Sequence, residues 1–294
     1  MEKVIKELKR LKAKKILVQF PEGLKLKIQE IVEKLETQGF EVFLCLERTY
    51  GACDIRDEEA LRLKCDAILH IGHSSLNLKS KLPIVYWHYY LDANPLKILQ
   101  KEFHKLKNYE KIGLVYVIQF LPQVKKIKEF LEKNGKRVIT VNQVLGCRLD
   151  WVKKIESKVD VFICIAAGKF HALGLALKTK KPVLNLDLEK NRLEKVETRK
   201  YLKIKNWNKS LLKDAKKIGF LISWKKGQFF ENWERLKRKL EKEGKKVYLL
   251  VMDEIDESKL EGLRLDLLIN FACPRIAIDD ISKFKIPILN WDEI

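Results

Sequence analysis

The chain has 294 residues, of which 46% are apolar and 34% are charged, and its formal net charge is +20. This length and apolar content predict a folded protein with one large core or several small ones, and they exclude an intrinsically disordered chain. No apolar run reaches the roughly 18 residues of a membrane span, and the N-terminal stretch lacks the apolar block of a signal peptide. We therefore expect a cytoplasmic protein with no membrane partner.

The positive charge has two interpretations. It favours an acidic partner such as a nucleic acid, the ribosome or an acidic protein. The basic residues are scattered, however, and Lys and Glu enrichment is also typical of hyperthermophile surfaces. Both interpretations stay open, and the sequence does not require direct binding to nucleic acid.

Three segments of the chain repeat one pattern of strands and helices. The first strands are predicted at residues 15–20, 111–119 and 217–223. The amphipathic helix that follows each of them ends at a glycine, as helix C-termini often do: Gly39, Gly135 and Gly244. A third strand then opens on an aspartate: Asp66, Asp160 and Asp266. A fourth opens on a proline: Pro83, Pro182 and Pro287.

Short apolar strands that alternate with helices predict parallel sheets covered on both faces. The fold class is therefore α/β, with three repeated small Rossmann-like domains, each a roughly four-stranded parallel sheet flanked by helices. We place these domains at residues 1–92, 93–190 and 191–294. No first strand is followed by G-x-G-x-x-G or a Walker A loop, which argues against a generic nucleotide-binding enzyme. In open α/β sheets a site is expected beyond the carboxyl ends of the strands.

The cysteines fall into two classes by position. Three lie within or beside predicted strands, where a thiol usually acts as a small buried apolar group: Cys45, Cys65 and Cys164. The other three lie in Gly- or Pro-rich loops where strands end: Cys53, Cys147 and Cys273. Each predicted domain thus contributes one loop cysteine.

These loop cysteines are not fully equivalent. Cys53 and Cys147 both follow a second strand, whereas Cys273 follows a third strand, where the other domains carry His73 and Ala167. If the domains pack around a common centre, three thiolates can converge and leave one iron of a 4Fe–4S cluster open for a ligand. A zinc site with three cysteines and a set of unrelated loop cysteines stay open as alternatives.

Several short motifs surround these positions. In the first domain they are QFPEGL at 19–24, YGAC at 50–53 and GHS at 72–74. In the second they are QVLGC at 143–147 and GKFH at 168–171. In the third they are SWKKGQ at 223–228 and the most specific one, ACPRIAIDD at 272–280. In this order, and over nearly the whole chain, they resemble the motifs of the diphthamide synthesis enzymes, the Dph1/Dph2 family.

The resemblance implies a triplicated fold with cluster ligands at Cys53, Cys147 and Cys273. It implies a 2-(3-amino-3-carboxypropyl)histidine synthase of the archaeal type, a non-classical radical enzyme with a 4Fe–4S cluster and S-adenosylmethionine as co-substrate. Such an enzyme transfers the 3-amino-3-carboxypropyl group to an imidazole carbon of one histidine on translation elongation factor 2, which begins diphthamide synthesis. The implied partners are elongation factor 2, an electron donor and a second copy of the chain in a homodimer.

Loop position adds further predicted site residues. The predicted cofactor contacts follow first strands or Cys273: Glu22, Gly23, Lys226, Gly227, Gln228 and Arg275. A glycine permits close approach of the backbone and a lysine can meet a carboxylate, although both glycines fit plain turns equally well. The predicted catalytic residues are His73, as a proton carrier or else a structural histidine, and Asp279, which with Arg275 would orient the Cys273 loop or the ligand. Ala167 and Lys169 stand where the family pattern has Asp and Arg, which weakens a substrate contact there.

Two other functions fit the same sequence. The chain can be a non-catalytic electron-relay partner subunit of the same pathway, although its intact loop cysteines argue against this. It can also be a zinc-stabilised protein that binds the ribosome or RNA. The metal that the protein holds separates the cluster from the zinc alternative.

Overall fold

The structure is a computed structural model, and it describes residues 1–145, 148–231 and 233–294. In this part of the chain, contacts group the residues into two compact units, Met1–Val196 and Glu197–Ile294. The first unit contains two β-sheets and the second contains one. None of the helices built from these residues is long and apolar enough to cross a membrane.

The first sheet is parallel throughout. Its strands are β1 (Lys15–Gln19), β2 (Glu41–Leu44), β3 (Ala67–Ile71) and β4 (Ile84–Trp87). Its helices are α1 (Glu2–Arg10), α2 (Ile28–Glu36) and α3 (Asp57–Arg62). The strand order is β2-β1-β3-β4, so β1 and β3 are central, and every residue of β3 is buried.

The second sheet belongs to the same unit and has five strands. They are β5 (Lys111–Tyr116), β6 (Arg137–Gln143), β7 (Val161–Ala166), β8 (Val183–Asp187) and β9 (Arg192–Lys195). Its helices are α4 (Pro95–Lys101), α5 (Leu121–Lys133), α6 (Val152–Ile155) and α7 (Phe170–Lys178). The order is β6-β5-β7-β8-β9, and β9 runs antiparallel to β8.

The third sheet forms the second unit and repeats the order of the first. Its strands are β10 (Lys217–Ser223), β11 (Lys246–Met252), β12 (Leu267–Asn270) and β13 (Ile288–Asn290). Its helices are α8 (Arg199–Leu211), α9 (Trp233–Lys242) and α10 (Ile276–Asp279). The order is β11-β10-β12-β13, with all neighbours parallel.

The aspartate before each third strand has one structural role in all three sheets. Asp66 accepts hydrogen bonds from the backbone N–H groups of Lys14 and Lys15, at 2.7 and 2.8 Å. Asp160 and Asp266 accept the same pair of bonds at the start of β5 and β10. These backbone bonds lower the pKa of each carboxyl. The repeated aspartate therefore ties the first strand of each sheet to the third.

The three predicted helix-ending glycines also share one conformation. Gly39, Gly135 and Gly244 have φ values of 88°, 77° and 80°, in the left-handed region that favours glycine. After the last two, the ammonium groups of Lys136 and Lys245 donate to carbonyl oxygens of the turn that precedes the first strand of the same sheet, β5 and β10 respectively. The repeated sequence pattern thus corresponds to a repeated local structure.

The predicted α/β class with three small, mostly parallel sheets is confirmed. Two first strands end earlier than predicted: β1 at Gln19, just before Phe20 and Pro21, and β5 at Tyr116. Proline lacks a backbone N–H and restricts the residue before it, and residues 118–120 form a 3₁₀ turn that leads into α5. Strand β9, which lies beyond residue 190, pairs with β8 of the second sheet and was not predicted. The division at residues 92 and 190 stays a prediction.

Candidate cysteine-loop site

Cys53 lies half-buried in the loop between β2 and α3. Gln19, at the carboxyl end of β1 and fully buried, donates from Nε2 to the carbonyl oxygen of Asp54 at 2.9 Å. Its Oε1 accepts the backbone N–H of Arg56 at 3.1 Å. The Arg56 Nε atom lies 3.1 Å from the Asp54 carboxylate. A single strand-end amide therefore fixes the backbone directly after Cys53.

Cys273 lies half-buried in the loop between β12 and α10. Asn270, fully buried at the end of β12, donates from Nδ2 to the Cys273 carbonyl oxygen at 2.9 Å and accepts the Ala272 N–H at 3.0 Å. Asn290, at the end of β13, donates from Nδ2 to the Pro274 carbonyl oxygen at 3.0 Å. The two amides also bond to each other, from Asn270 Nδ2 to Asn290 Oδ1 at 2.8 Å. Two neighbouring strand ends thus hold the Cys273 loop.

Cys147 lies outside the described residues, and so does Gly146. On either side of them, Leu145 and Arg148 form an isolated antiparallel bridge. Gln143, four residues before Cys147, donates to the Ser74 hydroxyl at 2.8 Å and so joins the QVLGC motif to the GHS motif of the first sheet. Among the described residues, which lack Cys147, no group of three His, Cys, Asp or Glu side chains is placed to hold a metal ion.

The chemistry of the loop cysteines nevertheless fits an iron–sulfur cluster. Cys53 and Cys273 end up in half-buried loops beyond strand ends, and cysteine thiolates are the usual ligands of such clusters. The strand cysteines differ from them, because burial raises the pKa of Cys45, of Cys65 and of Cys164, the last to about 12. A buried thiol that keeps its proton is a poor metal ligand. The assignment of all three loop cysteines as ligands stays a prediction.

His73 lies next to a second, buried histidine that the sequence did not single out. His70 Nε2 and His73 Nδ1 are 3.0 Å apart, and His70 is fully buried in β3. Burial lowers the pKa of His70 to about 3 and that of His73 to about 4, so both imidazoles are neutral at pH 7. His73 therefore lies in the predicted loop. Its hydrogen bond to His70 fits a structural histidine, and its neutral ring fits a proton acceptor, so the structure is compatible with both interpretations.

The loop that carries His73 is held from the second sheet. Gln119 donates from Nε2 to the Gly72 carbonyl oxygen at 2.6 Å, and Gln143 bonds to Ser74 as described above. Gly72 has a φ of 88°, and a Cβ atom there would lie 3.0 Å from Pro21 Cγ. This glycine is therefore required by conformation and by the close approach of the QFPEGL loop.

Glu22 and Gly23 form the 3₁₀ turn after β1. Glu22 is exposed, and its carboxylate lies 3.5 Å from the ammonium of Lys25. A Cβ atom at Gly23 would meet no heavy atom of the described residues within 4 Å, and Gly23 is not among the glycines with positive φ. Neither conformation nor packing therefore requires a glycine at residue 23. Of its two interpretations, close approach of the co-substrate is thus better supported than a plain turn.

Lys226, Gly227 and Gln228 form the turn after β10, in which the Gln228 N–H donates to the Lys225 carbonyl oxygen at 2.8 Å. Lys226 is half-buried, whereas Lys225 and Gln228 are each only 7% exposed. Sequence reasoning chose Lys226 and missed Lys225, which is the more buried lysine of the motif. Lysine is rarely buried, so the burial of Lys225 beside the predicted contacts adds it to the candidate residues of this loop.

The Arg275 and Asp279 side chains contact each other. Arg275 is 6% exposed, and its Nε and Nη2 atoms lie 2.5 and 2.7 Å from the two carboxylate oxygens of Asp279. Burial raises the pKa of Asp279, and Arg275 partly offsets this. The pair spans α10 directly after the Cys273 loop. Its geometry therefore fits a role in orienting that loop better than a role for Asp279 as an independent catalytic acid.

The loop after β7 has a similar support but no thiol. Asn185 donates from Nδ2 to the Gly168 carbonyl oxygen at 2.8 Å, and Asp187 accepts the Gly168 N–H at 3.1 Å. Both side chains are fully buried, Asn185 in the middle of β8 and Asp187 at its end. Ala167 and Lys169 flank this glycine. The fold therefore supplies the same kind of loop support in the second sheet as in the third.

Several known proteins are similar to this chain over nearly its whole length. Residues 20–294 match a family model described as diphthamide synthesis protein. The chain is 35% identical to the 2-(3-amino-3-carboxypropyl)histidine synthase of Pyrococcus horikoshii, over 99% of this chain and 87% of the relative. It is 30% identical to the enzyme of that name from Methanocaldococcus jannaschii, with the same coverage.

A solved structure extends the comparison. The crystal structure of Dph2 from Pyrococcus horikoshii with a 4Fe–4S cluster has a TM-score of 0.90 and 32% identity, and it covers 99% of this chain and 88% of that one. The predicted family and the predicted class of enzyme are both confirmed. The chain belongs to the family of diphthamide synthesis proteins whose named members are 2-(3-amino-3-carboxypropyl)histidine synthases.

Proposed function

We propose that the chain transfers the 3-amino-3-carboxypropyl group of S-adenosylmethionine to an imidazole carbon of a histidine on translation elongation factor 2, the first step of diphthamide synthesis. We further propose that Cys53, Cys147 and Cys273 hold a 4Fe–4S cluster for this reaction. The observation that carries the proposal is the similarity, over 99% of the chain, to a relative that contains such a cluster. The cysteine loops described above support the choice of ligands.

The bound cluster would supply one electron to the sulfonium, so that its bond to the aminocarboxypropyl arm breaks and methylthioadenosine leaves. The chain's own residues would position the reactants. Lys225 or Lys226 would meet the methionyl carboxylate, and the open surroundings of Gly23 would admit the co-substrate close to the backbone. His73, neutral at pH 7, would accept the proton that the substrate imidazole carbon loses when the new bond forms, and the electron that the ring gives up in the same step would return to the cluster.

Two experiments test this function. Anaerobically purified protein should be brown and contain about four irons per chain, the number in one such cluster. Colourless protein with stoichiometric zinc would contradict the cluster. With dithionite as the electron donor, label from the 3-amino-3-carboxypropyl arm of S-adenosylmethionine should appear on elongation factor 2. An iron-loaded chain that transfers no label would instead be the electron-relay partner subunit.

We also propose that two copies of the chain associate through strand β11, the open edge of the third sheet. Tyr248, Leu249 and Val251 are 38–49% exposed on this edge. Basic residues 245–246 precede these side chains and acidic residues 253–254 follow them. Antiparallel pairing of two copies around Leu249 would therefore place opposite charges together and cover an apolar edge. Light scattering should show a dimer that Val251→Lys converts to a monomer, and an unchanged dimer would contradict this interface.

The proposed substrate makes the cytoplasm the expected location, since elongation factor 2 acts in translation. Elongation factor 2 and an electron donor are the remaining proposed partners. The net charge of +20 is compatible with an acidic protein partner. Raising the salt concentration should then weaken the binding of elongation factor 2, and binding that is independent of salt would contradict an electrostatic role for this charge.

A further inference from the structure

We infer that three buried amides, Gln19, Asn270 and Asn290, are positioning residues that hold the backbone beside Cys53 and Cys273 in the conformation that binds the cluster. The inference rests on the proposed function, because it takes these cysteines as ligands. It assigns a role to the first residue of the QFPEGL motif and to two asparagines that lie outside every motif.

The burial and hydrogen bonds of the three amides indicate that they support the cysteine loops. Gln19 and Asn270 are fully buried and Asn290 is 3% exposed. A buried amide destabilises a fold unless its polar atoms are hydrogen-bonded. At a buried strand end that supports no loop, an apolar side chain would therefore be as stable as an amide. Each of these amides bonds to the backbone of a cysteine loop, at distances between 2.9 and 3.1 Å.

The Cys273 loop is the more completely held of the two. Asn270 bonds to both sides of the cysteine, at the Ala272 N–H and at the Cys273 carbonyl oxygen. Asn290 bonds to the next carbonyl, that of Pro274, and accepts a bond from Asn270. Three consecutive residues are thus fixed by side chains of two rigid strands. Backbone hydrogen bonds of this kind fix the direction of the Cys273 Cα–Cβ bond without any contribution from the metal.

Asn185 provides a comparison within the molecule. It occupies the same place on β8 as Asn290 on β13 and makes the same bond, to the Gly168 carbonyl oxygen. Cys164 stands on β7 where Asn270 stands on β12, so the second sheet lacks the second amide. The Asn185 Oδ1 atom has no hydrogen-bond partner among the described residues. The complete pair of amides therefore occurs where the loop carries a cysteine.

The test compares variants that lose a buried amide with matched variants that lose one elsewhere. Gln19→Leu in the first unit is matched by Asn185→Leu, whose loop has no thiol. Asn270→Leu in the second unit is matched by Asn208→Leu, which removes a buried amide bonded to the Ile288 carbonyl oxygen at 3.0 Å, away from the cysteine loop. All four proteins would be loaded with iron anaerobically, and their melting temperatures would be measured without the metal.

Iron release to a ferrous chelator is the deciding measurement, together with the electron paramagnetic resonance spectrum of the reduced protein. We expect Gln19→Leu and Asn270→Leu to release iron about 10- to 100-fold faster than the unchanged chain, if the loss of affinity typical of residues that support metal ligands is expressed in the release rate. The two matched variants should lower the melting temperature by similar amounts while releasing iron at the unchanged rate.

Equal release rates in the variants and in their matched controls would overturn the inference. If Asn270→Leu fails to fold, Asn290→Ala replaces it, because this change removes the bond to the Pro274 carbonyl oxygen and leaves both bonds of Asn270 to the Cys273 loop in place. An unchanged chain that binds no iron would contradict the proposed function instead. Iron that is bound but released at equal rates by all variants would contradict the positioning role alone.

Discussion

The loops after β7 and β12 have the same backbone support and different chemistry. In both, an asparagine on the following strand donates to a loop carbonyl oxygen, at 2.8 Å from Asn185 and 3.0 Å from Asn290. Only the loop after β12 carries a cysteine, and only there does a second asparagine complete the hydrogen-bonded pair. This difference shows that the repeated fold supplies the same scaffold in each sheet. A few residues on the strands then decide which of the equivalent loops can hold a metal ligand.

Removal of the Cys273 thiol should have the largest effect, because it would make the loop after β12 like the loop after β7. We expect Cys273→Ala to lose its iron, with an affinity that falls by more than about 100-fold, because loss of a ligand exceeds the loss of a supporting residue. Iron content and absorbance after anaerobic reconstitution measure this. Cys45→Ala is the control and should bind iron as the unchanged chain does. Full iron content in Cys273→Ala would remove this cysteine from the site.

His70 of the first sheet occupies the position that Asn270 occupies in the third, and His70→Asn gives both sheets the same residue there. The lowered pKa of His70 means that its unfolded form binds protons below pH 6.5 while its folded form stays neutral down to about pH 3. Its contribution to stability is therefore complete above pH 6.5 and falls by about 1.4 kcal/mol per pH unit below that value. Urea unfolding at pH 7 and pH 5 should show a weaker pH dependence in His70→Asn. A His70 ring proton that titrates near pH 6.5 in nuclear magnetic resonance spectra would contradict this.

The three aspartates test the part of the scaffold that all sheets share. Asp66→Asn, Asp160→Asn and Asp266→Asn should each lower the free energy of unfolding at pH 7 by about 1 kcal/mol. This is less than the roughly 1.5–3 kcal/mol of a hydrogen bond to a charged group, because water screens the charge at these accessible sites. Because the folded pKa is lowered, this contribution is present above the ordinary pKa of 3.8 and is lost as the pH falls below it. Denaturant titrations at pH 7 and pH 2.5 measure the difference. A loss in one sheet but not in the others would show that the repeats differ here.

The smallest effect is expected at Gly23. Gly23→Ala should change the free energy of unfolding by less than about 0.5 kcal/mol, since in the part of the chain that the structure describes no heavy atom lies within 4 Å of the added Cβ. A weaker affinity for S-adenosylmethionine without loss of stability would support close approach of the co-substrate. Gly72→Ala is the contrasting control, because its positive φ and its contact with Pro21 should make it clearly destabilising. A destabilised Gly23→Ala would restore the turn interpretation.

Much of the fold was predictable because its signals are local. The helix-ending glycines, the aspartates and the apolar strands recur in sequence, and they recur in the structure as Gly39, Gly135 and Gly244 with left-handed backbones and as three equivalent sets of hydrogen bonds. Strand β9 was not predicted, since Arg192–Lys195 is short and polar and becomes a strand only by pairing with β8.

The candidate site was predictable only in part. Position along the strands separated the loop cysteines from Cys164, and burial then raised the pKa of that thiol as the structural interpretation requires. The side chains that support the loops gave no such signal. Gln19 and Asp54 are 35 residues apart and Asn270 and Asn290 are 20 apart, so these contacts exist only once the sheets form. Lys225 was overlooked for the same reason, because burial cannot be read from two adjacent lysines.

The sequence by itself determined the α/β class, the repetition and the family, because periodicity, turn residues and motifs are properties of neighbouring residues. Tertiary structure alone decided which amides reach the cysteine loops, that His73 bonds to His70, and that Arg275 and Asp279 form a pair. The physical reason is that a hydrogen bond or a shifted pKa depends on which distant side chains a fold brings within 3 Å and removes from water.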